Sequence, residues 1–495
     1  MRYQQLFAMI GGVLAVVRAL QHRKQIRWEF TQRLAAVTVA LPRQPTTKRR
    51  LTPVSVVSRD DDEFLPNFRF TRQQMSLVIE AYALPNMIRT PRGITVSSWD
   101  AMGILLRRLA LPGPWTVHVD FFGRRERNLR EIFYITLKHV FTACRKRIQS
   151  PSASFLTTER LLRYSAAIRA KGGLYRFVFG FIDGTVYQIC RPSGVTSWQR
   201  SVYSGHKKYH GFKWQGINTP DGLIQFMHGP FCAPQHDTTV LRESKVIEYM
   251  MSEFEVPPDA QVDGCPETHF SLFGDPGLAI LAVLICNQSC AMCCCSTGYS
   301  FIMSPVLQAP FSHPQGFKSL PPLERKFNLR MSKLRVTAEW MFRDITSVWT
   351  YLKAFFGLRI KQQPVGQFYI VATDLTNLRT ILRGGGNTSK YFRCPPPTLA
   401  EYIAPRVYDL ELEADVPDLA DVIEQMGNLR IQDIPVLPLH PEDVNDAIGE
   451  AALDAFAGQD EEHENDGIVQ ELGGEGGWFN MNGMRVLHGG QGVAV

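Results

Sequence analysis

Three acidic residues lie where the chain could hold a carboxylate rigidly. Asp183 ends the apolar run "RFVFGFI", Asp275 ends "HFSLFG", and Glu339 lies in a long segment with helical periodicity. If the fold brings them together, two strand-end aspartates and a helix glutamate can hold two divalent ions. Such a pair activates a water or a 3′-hydroxyl for in-line displacement at a phosphodiester. Oxygen-only ligands favour Mg²⁺ or Mn²⁺ over zinc.

Each acid also has an ordinary structural explanation. An aspartate followed by glycine between two β-rich runs is a strong hairpin signal, so a turn is expected at Asp183, and Asp275 admits the same explanation. Glu339 has Arg335 and Arg343 one helical turn away on either side. Salt bridges at that spacing stabilise a helix by only about 0.2–0.5 kcal/mol each. The three acids therefore indicate a metal site only in combination.

The elements that must position these acids are strands followed by a helix. Strand-like runs occur in "VFGFI", "YHGFKWQGINT", "LIQFMHG" and "THFSLF", and the segment around Glu339 keeps apolar residues at three- and four-residue steps. Strands separated by turns and followed by a long amphipathic helix predict an α/β or α+β core.

The region before this core is predicted to be helical. Between residues 124 and 149 an apolar stripe recurs at helical spacing, at Leu129, Ile132, Phe133, Leu137 and Val140. A short segment ending at Phe122-Gly123 precedes it, which makes the pair a candidate helix-turn-helix. An ordinary helical hairpin is the alternative. The opening turns carry four candidate DNA-binding residues, Arg124, Arg125, Arg127 and Arg130.

Charge is distributed unevenly along the 495 residues. Between positions 401 and 475 there are 21 acidic and 2 basic side chains, whereas residues 1–400 carry 51 basic and 26 acidic side chains, a net of +25. A folded body with that surplus attracts a polyanion such as DNA or RNA, and the acidic tail can compete for the same surface. Alternatively, the two parts only set solubility and pair with each other.

The cysteines indicate a reducing compartment. Ten are present, with a run at 293–295 and no regular disulfide spacing, so free thiols are expected. A zinc site in that run is the weaker alternative, because structural zinc sites usually pair two separated ligand clusters.

The N-terminal region has two features that bear on location. The apolar stretch Leu6–Val17 is shorter than the roughly 20 residues that span a bilayer, so a packed helix is favoured over a targeting or anchoring segment. Residues 40–62 have the composition of a linker and include the basic cluster 48–50. That cluster is either a nuclear import signal or solvated charge.

Residues 62–400 resemble the Harbinger (PIF) group of DDE transposases and the nucleases derived from them. "FGFIDGT" resembles the strand that bears the first aspartate, and "LFGDPG" the segment that bears the second. The intervening "YSGHKKYHGFKWQGINTPDGLI" and "APQHDTTVLRES" are similar to the family's second and third strands and its His-Asp loop. "FNLRMSKLRVTAEWMFRDI" resembles the helix that bears the glutamate.

The resemblance implies an α/β, RNase H-like catalytic core, a mixed sheet flanked by helices, preceded by an all-α helix-turn-helix region. It implies that Asp183, Asp275 and Glu339 are catalytic metal ligands for Mg²⁺ or Mn²⁺, and that DNA is cut and joined. His236 and Asp237 match the loop motif in a supporting role. Expected associations are DNA, a Myb-like accessory protein and a second copy of the chain, with a nuclear location and no membrane. Further candidate DNA contacts are Lys207, Lys208 and Lys213.

The chain departs from the family pattern at residues 278–298, an apolar and cysteine-rich insert that separates Asp275 from Glu339 by 64 positions. The insert is a translated intron, a gene-model error or a genuine excursion. Two other functional hypotheses therefore stand beside an active nuclease: a domesticated DNA-binding protein that no longer cleaves, and a pseudogene product that does not fold.

The predicted organisation has four parts. They are an N-terminal helix and basic linker (1–61), a helical DNA-binding region (62–150), a nuclease domain (172–400, with the insert) and an acidic tail without a core (401–495).

Overall fold

The computed structural model describes residues 51–193, 196–261, 267–275, 305–311, 320–360 and 362–408. All of them fall in one compact unit, Met1–Arg430. The predicted N-terminal helix, the insert at 278–298 and most of the acidic tail lie outside these residues, as do the cysteines of the zinc alternative. The predicted boundary between helical and nuclease regions stays a prediction.

The N-terminal part of the unit is mainly helical. Its helices are α1 (Asp61–Phe68), α2 (Arg72–Ala81), α3 (Ser98–Ala110), α4 (Thr116–Phe122), α5 (Glu126–Gln149) and α6 (Thr158–Ala170). Side chains of Thr71, Ser97 and Thr157 cap the amide groups at the starts of α2, α3 and α6. The region also contains an antiparallel pair of strands, β1 (Met87–Arg89) and β2 (Thr95–Ser97). It is therefore not purely helical, contrary to the expectation of an all-α region.

The remaining elements alternate strands and helices. The strands are β3 (Val178–Gln188), β4 (Tyr203–Ser204), β5 (Tyr209–Asn218), β6 (Ile224–Cys232), β7 (Ser271–Phe273) and β8 (Leu307–Gln308). The helices are α7 (Thr196–Ser201), α8 (Asp237–Ser244), α9 (Val246–Glu253), α10 (Pro322–Val348), α11 (Val365–Leu382), α12 (Asn387–Phe392) and α13 (Leu399–Ile403).

The strands form one mixed sheet in the order β4-β5-β3-β7-β8, with β6 also paired to β5. The pairs β3–β5 and β5–β6 are antiparallel, whereas β3–β7 and β7–β8 are parallel. The first half of β3, residues 178–183, is buried throughout, as expected for a central strand covered on both faces. This mixed sheet with flanking helices fits an RNase H-like nuclease core.

Helix α10 lies directly against the middle of the sheet because a glycine makes room for it. A Cβ at Gly216 of β5 would lie 2.6 Å from Cε of Met341 in α10. Gly216 is also the ladder partner of Asp183 in β3. Cross-strand partners share a face of the sheet, so Asp183 is on the face that α10 covers.

Helix α5 joins the N-terminal part to the sheet. Its apolar stripe is buried as the periodicity predicted, at Leu129, Ile132, Phe133, Leu137 and Val140. Near its C-terminal end Arg147 binds the fully buried Asp374 of α11 through Nε–Oδ1 and Nη2–Oδ2 contacts of 3.0 and 2.8 Å. The hydroxyls of Tyr82 and Tyr402 each donate to the same carboxylate at 2.7 Å. The folded part therefore continues past residue 400, into the beginning of the predicted tail.

No disulfide is formed by the cysteines in the described ranges. Cys144, Cys190, Cys232 and Cys394 are all reduced, as predicted. Among the same residues, no helix is both long and apolar enough to cross a bilayer.

Candidate metal and DNA site

Asp183 lies within a strand rather than in the expected hairpin turn. Strand β3 continues through it to Gln188, and Gly184 pairs with Gln215 in β5. The turn prediction was wrong because Gly184 allows close packing within a strand rather than a turn. A Cβ at Gly184 would lie 2.6 Å from Oδ1 of Asp237, so glycine leaves room for the side chain at the start of α8.

The register of β3 and β7 brings the first two acids to the same level of the sheet. These strands are parallel neighbours, with Phe181 opposite Phe273. Asp183 comes two residues after Phe181, and Asp275 comes two residues after Phe273. Because parallel strands advance together, the two carboxylates lie side by side at the end of β7.

A single guanidinium group of α10 bridges these carboxylates. Nη1 of Arg335 is 2.5 Å from Oδ1 of Asp275, and Nη2 is 3.5 Å from Oδ1 of Asp183. Glu339 follows Arg335 by one helical turn on α10 and is exposed. In the described parts of the chain no ion pair joins Glu339 to Arg335 or Arg343. The salt-bridge alternative therefore does not describe Arg335, which contacts the two aspartates instead.

Burial makes Asp183 a weaker acid than an exposed aspartate. It raises the pKa of Asp183 to about 6. Arg335 opposes this by lowering the pKa, as does a hydrogen bond from the Gly184 amide, while Asp275 and Glu339 raise it further. The influence of both other acids places all three carboxylates in one electrostatic neighbourhood. Asp275 is more accessible, with 45% of its side chain exposed.

The three acids suit a divalent cation chemically, but Glu339 is not grouped with the two aspartates. The two aspartates already share one positive group, and every available donor is a carboxylate oxygen, as Mg²⁺ and Mn²⁺ prefer. However, no three His, Cys, Asp or Glu side chains within the described ranges are grouped closely enough to hold a metal. The structure thus brings Asp183 and Asp275 together and leaves Glu339 nearby but apart.

The arginines before and within α5 have different surroundings. Arg124 is only 14% exposed and pairs with Asp100 of α3, with 3.1 Å between Nη2 and Oδ2. Arg130 is exposed, and its Nη2 lies 2.6 Å from Oε1 of Glu126, one turn earlier. Arg125 and Arg127 are exposed. Two of the four thus face solvent with no ionic partner among the described residues.

The three candidate lysines also differ in their surroundings. Lys207 and Lys208 are exposed in the tight connection between β4 and β5. Lys213 is only 12% exposed, and its Nζ lies 3.3 Å from Oδ1 of Asp237 and donates to the carbonyl of Gln235. His236 is exposed at the N-cap of α8. The His-Asp loop thus anchors Lys213, and its aspartate is not part of the carboxylate pair.

Comparison with known proteins gives one match, and it covers this region of the chain. Residues 182–377 match the family described as DDE superfamily endonuclease. The match begins one residue before Asp183 and contains Asp275, Arg335 and Glu339, so it supports a nuclease of the DDE transposase type. No curated protein and no solved structure matches the chain significantly.

The contact of Arg335 with the two aspartates was not predicted from the sequence, in which Arg335 is only a helix neighbour of Glu339. The available signal was its position: residues 335 and 339 lie on one face of a helix that was expected to point at two strand ends. A cation on that face, facing two buried-strand carboxylates, was therefore predictable in principle.

Proposed function

We propose that the chain is a metal-dependent DNA endonuclease and transposase of the Harbinger type. The observation that carries the proposal is the guanidinium of Arg335 between Asp183 and Asp275, inside the family match. Two carboxylates that share one cation in a partly buried site are suited to binding Mg²⁺ or Mn²⁺. Glu339, one turn from Arg335 on the same helix, supplies the third carboxylate.

Asp183 and Asp275 would hold the metal ions, with Glu339 completing the set. When bound, the ions activate a water or a 3′-hydroxyl and stabilise the leaving oxygen in an in-line displacement, which accounts for cutting and strand transfer. Arg335 must release the two aspartates for the ions to bind, and is then free to contact a phosphate with its planar fork of donors. The burial of Asp183 favours this exchange, since a buried carboxylate with one cationic partner at 3.5 Å and two acidic neighbours is poorly compensated.

DNA contacts are proposed on the exposed cations. Arg125, Arg127, Lys207 and Lys208 are free to bind phosphate, whereas Arg124, Arg130 and Lys213 would first have to leave acidic partners. The nucleus as location, a Myb-like accessory protein and self-association are part of the same proposal and rest on the family resemblance alone.

The second candidate function is DNA binding without cleavage. It is favoured by one observation: no group of three possible metal ligands is assembled within the described ranges. The insert at 278–298 begins three residues after Asp275 and gives a further reason to test cleavage directly.

The test is Mg²⁺-dependent nicking of DNA by the full chain and by a deletion of residues 278–298, with Asp183→Ala in each background. Loss of a ligand should reduce nicking by more than ~100-fold, since changes to groups that only support metal ligands already cost 10–100-fold. Asp344→Asn is the matched control, because Asp344 lies on the same helix as Glu339 and should keep activity.

Nicking only in the deletion would show that the insert inactivates this copy. Nicking in neither chain would favour DNA binding alone, and nicking that survives Asp183→Ala would refute the site.

A further inference from the structure

A cleft of about 490 Å³ lies between the end of α6 and the end of α12, outside the segment matched by the DDE family. Its charged lining consists of Arg163, Lys171 and Arg393, all exposed, and contains no acidic side chain. In the described parts of the chain none of the three is within ion-pair distance of an acid. The nearby Glu401 pairs instead with Arg160, at 3.5 Å between Oε1 and Nη2.

The thiol in the cleft lining adds no negative charge at neutral pH. Cys394 also lines it and is buried. Burial raises the pKa of this thiol to about 11, so it remains protonated. Three cations that have no ion-pair partner among the described residues surround one concave surface, which favours an anion with several phosphates over an apolar ligand.

Aromatic side chains connect the cleft to the carboxylate site. Phe392, in the cleft lining, stacks on Phe181, two residues before Asp183, with ring centroids 6.1 Å apart. Tyr391 meets Trp340 edge-on at 5.6 Å, and Trp340 directly follows Glu339. Both Tyr391 and Trp340 are half-buried, so part of each ring faces solvent.

The cleft places a cation beside a partly exposed aromatic ring. Nζ of Lys171 lies 5.0 Å from the centroid of Tyr391, which places a phosphate-binding group beside an aromatic surface. Cationic grooves that follow the backbone and partly exposed rings that stack with bases are the two components of single-strand recognition. Helix α5 and its arginines contribute none of the residues of this cleft.

We propose that the cleft lined by Arg163, Lys171 and Arg393 binds the phosphate backbone of a DNA strand and leads it to the carboxylate site, past Tyr391 and Trp340. The role of the strand as substrate rests on the proposed function. The binding itself does not.

The experiment measures binding of a labelled single-stranded oligonucleotide to the full chain in EDTA, over a series of salt concentrations. Arg163→Gln and Lys171→Gln should each lower the salt slope by about 0.7 and weaken binding roughly fivefold at 0.1 M salt, as expected for one lost phosphate contact on a single strand. Arg169→Gln is the matched control, because it removes the same charge from α6 but Arg169 does not line the cleft. It should change affinity less than about twofold. The midpoint of thermal unfolding of each variant establishes that it is folded.

Equal losses from Lys171→Gln and Arg169→Gln would overturn the proposal, since binding would then follow net charge alone. It would also be overturned if a mononucleotide displaced the oligonucleotide at similar concentration, because the cleft would then be a small-anion site. A chain that never nicks DNA but loses affinity on Lys171→Gln would contradict the nuclease proposal and support the cleft. In a chain that nicks, Lys171→Gln should raise KM and leave kcat unchanged.

Discussion

Two buried carboxylates of this protein have opposite surroundings. Asp374 receives four hydrogen bonds, two from Arg147 and one each from Tyr82 and Tyr402. Although burial alone would raise its pKa, these partners hold the pKa of Asp374 below its ordinary value. Asp183 has one cationic partner at 3.5 Å and two acidic neighbours, and burial raises its pKa to about 6.

The contrast separates a structural carboxylate, Asp374, from one whose surroundings suit the proposed metal site, Asp183. Asp374 has its acceptor capacity filled by groups from α5, the residue after α2, and α13, so it ties the N-terminal helices to the core. Asp183 is held in a rigid strand with its charge poorly compensated. A site of that kind costs stability and is ready to accept a cation, which is a common property of functional sites.

The largest effect is expected from Asp374→Asn. It leaves Arg147 as a buried cation without its counter-charge, so the free energy of unfolding should fall by about 3–5 kcal/mol. Urea unfolding of the full chain measures this. Arg130→Ala is the control, because its exposed pair with Glu126 should contribute less than about 0.5 kcal/mol. Equal losses of unfolding free energy in the two variants would contradict the structural role of Asp374.

A smaller loss is expected from Tyr82→Phe. The phenyl ring still fills the core, but Asp374 loses a hydrogen bond to a charged acceptor, so the free energy of unfolding should fall by about 1.5–3 kcal/mol. The same urea titration measures this change. A loss below about 0.5 kcal/mol would show that Arg147 and Tyr402 suffice for Asp374.

Asp183→Asn should act in the opposite direction. In EDTA at pH 7 it removes a poorly compensated buried charge and should raise the free energy of unfolding by on the order of 1–2 kcal/mol. The folded pKa of about 6 exceeds the unfolded value of 3.8, so the folded state binds the extra proton between these values. Protonation removes the charge penalty as the pH falls from 7 towards 4, and the advantage of the variant should disappear over that range. An advantage that stays constant with pH would contradict the raised pKa.

The sequence predicted the strands and helices around the acids better than the contacts of their side chains. Runs of β-rich residues located β3 and β7, and a three- and four-residue periodicity located α5 and α10. The turn at Asp183 failed because the Asp-Gly signal is local, whereas pairing with β5 and the position of Asp237 decide the conformation. Neither can be read from the neighbours of Asp183.

The Asp374 network could not be predicted at all. Asp374 stands in a mainly apolar helix, "FYIVATDLTNL", where a lone aspartate has no local partner. Arg147 is 227 positions away and Tyr82 is 292 positions away along the chain. Only the packing of α5 and α11 brings these groups together, and pattern analysis of one sequence does not contain that packing.

The central claim is that Asp183 and Asp275 form a divalent-cation site and that Asp374 does not, and the stabilisation of the chain by Mn²⁺ tests it most directly. Thermal unfolding is followed in EDTA and in Mn²⁺ for the unmodified chain, Asp183→Asn and Tyr82→Phe. At ten times the dissociation constant the bound ion should stabilise the unmodified chain and Tyr82→Phe equally, by about 1.4 kcal/mol. Asp183→Asn should gain nothing. The same gain in Asp183→Asn as in the unmodified chain would contradict the account.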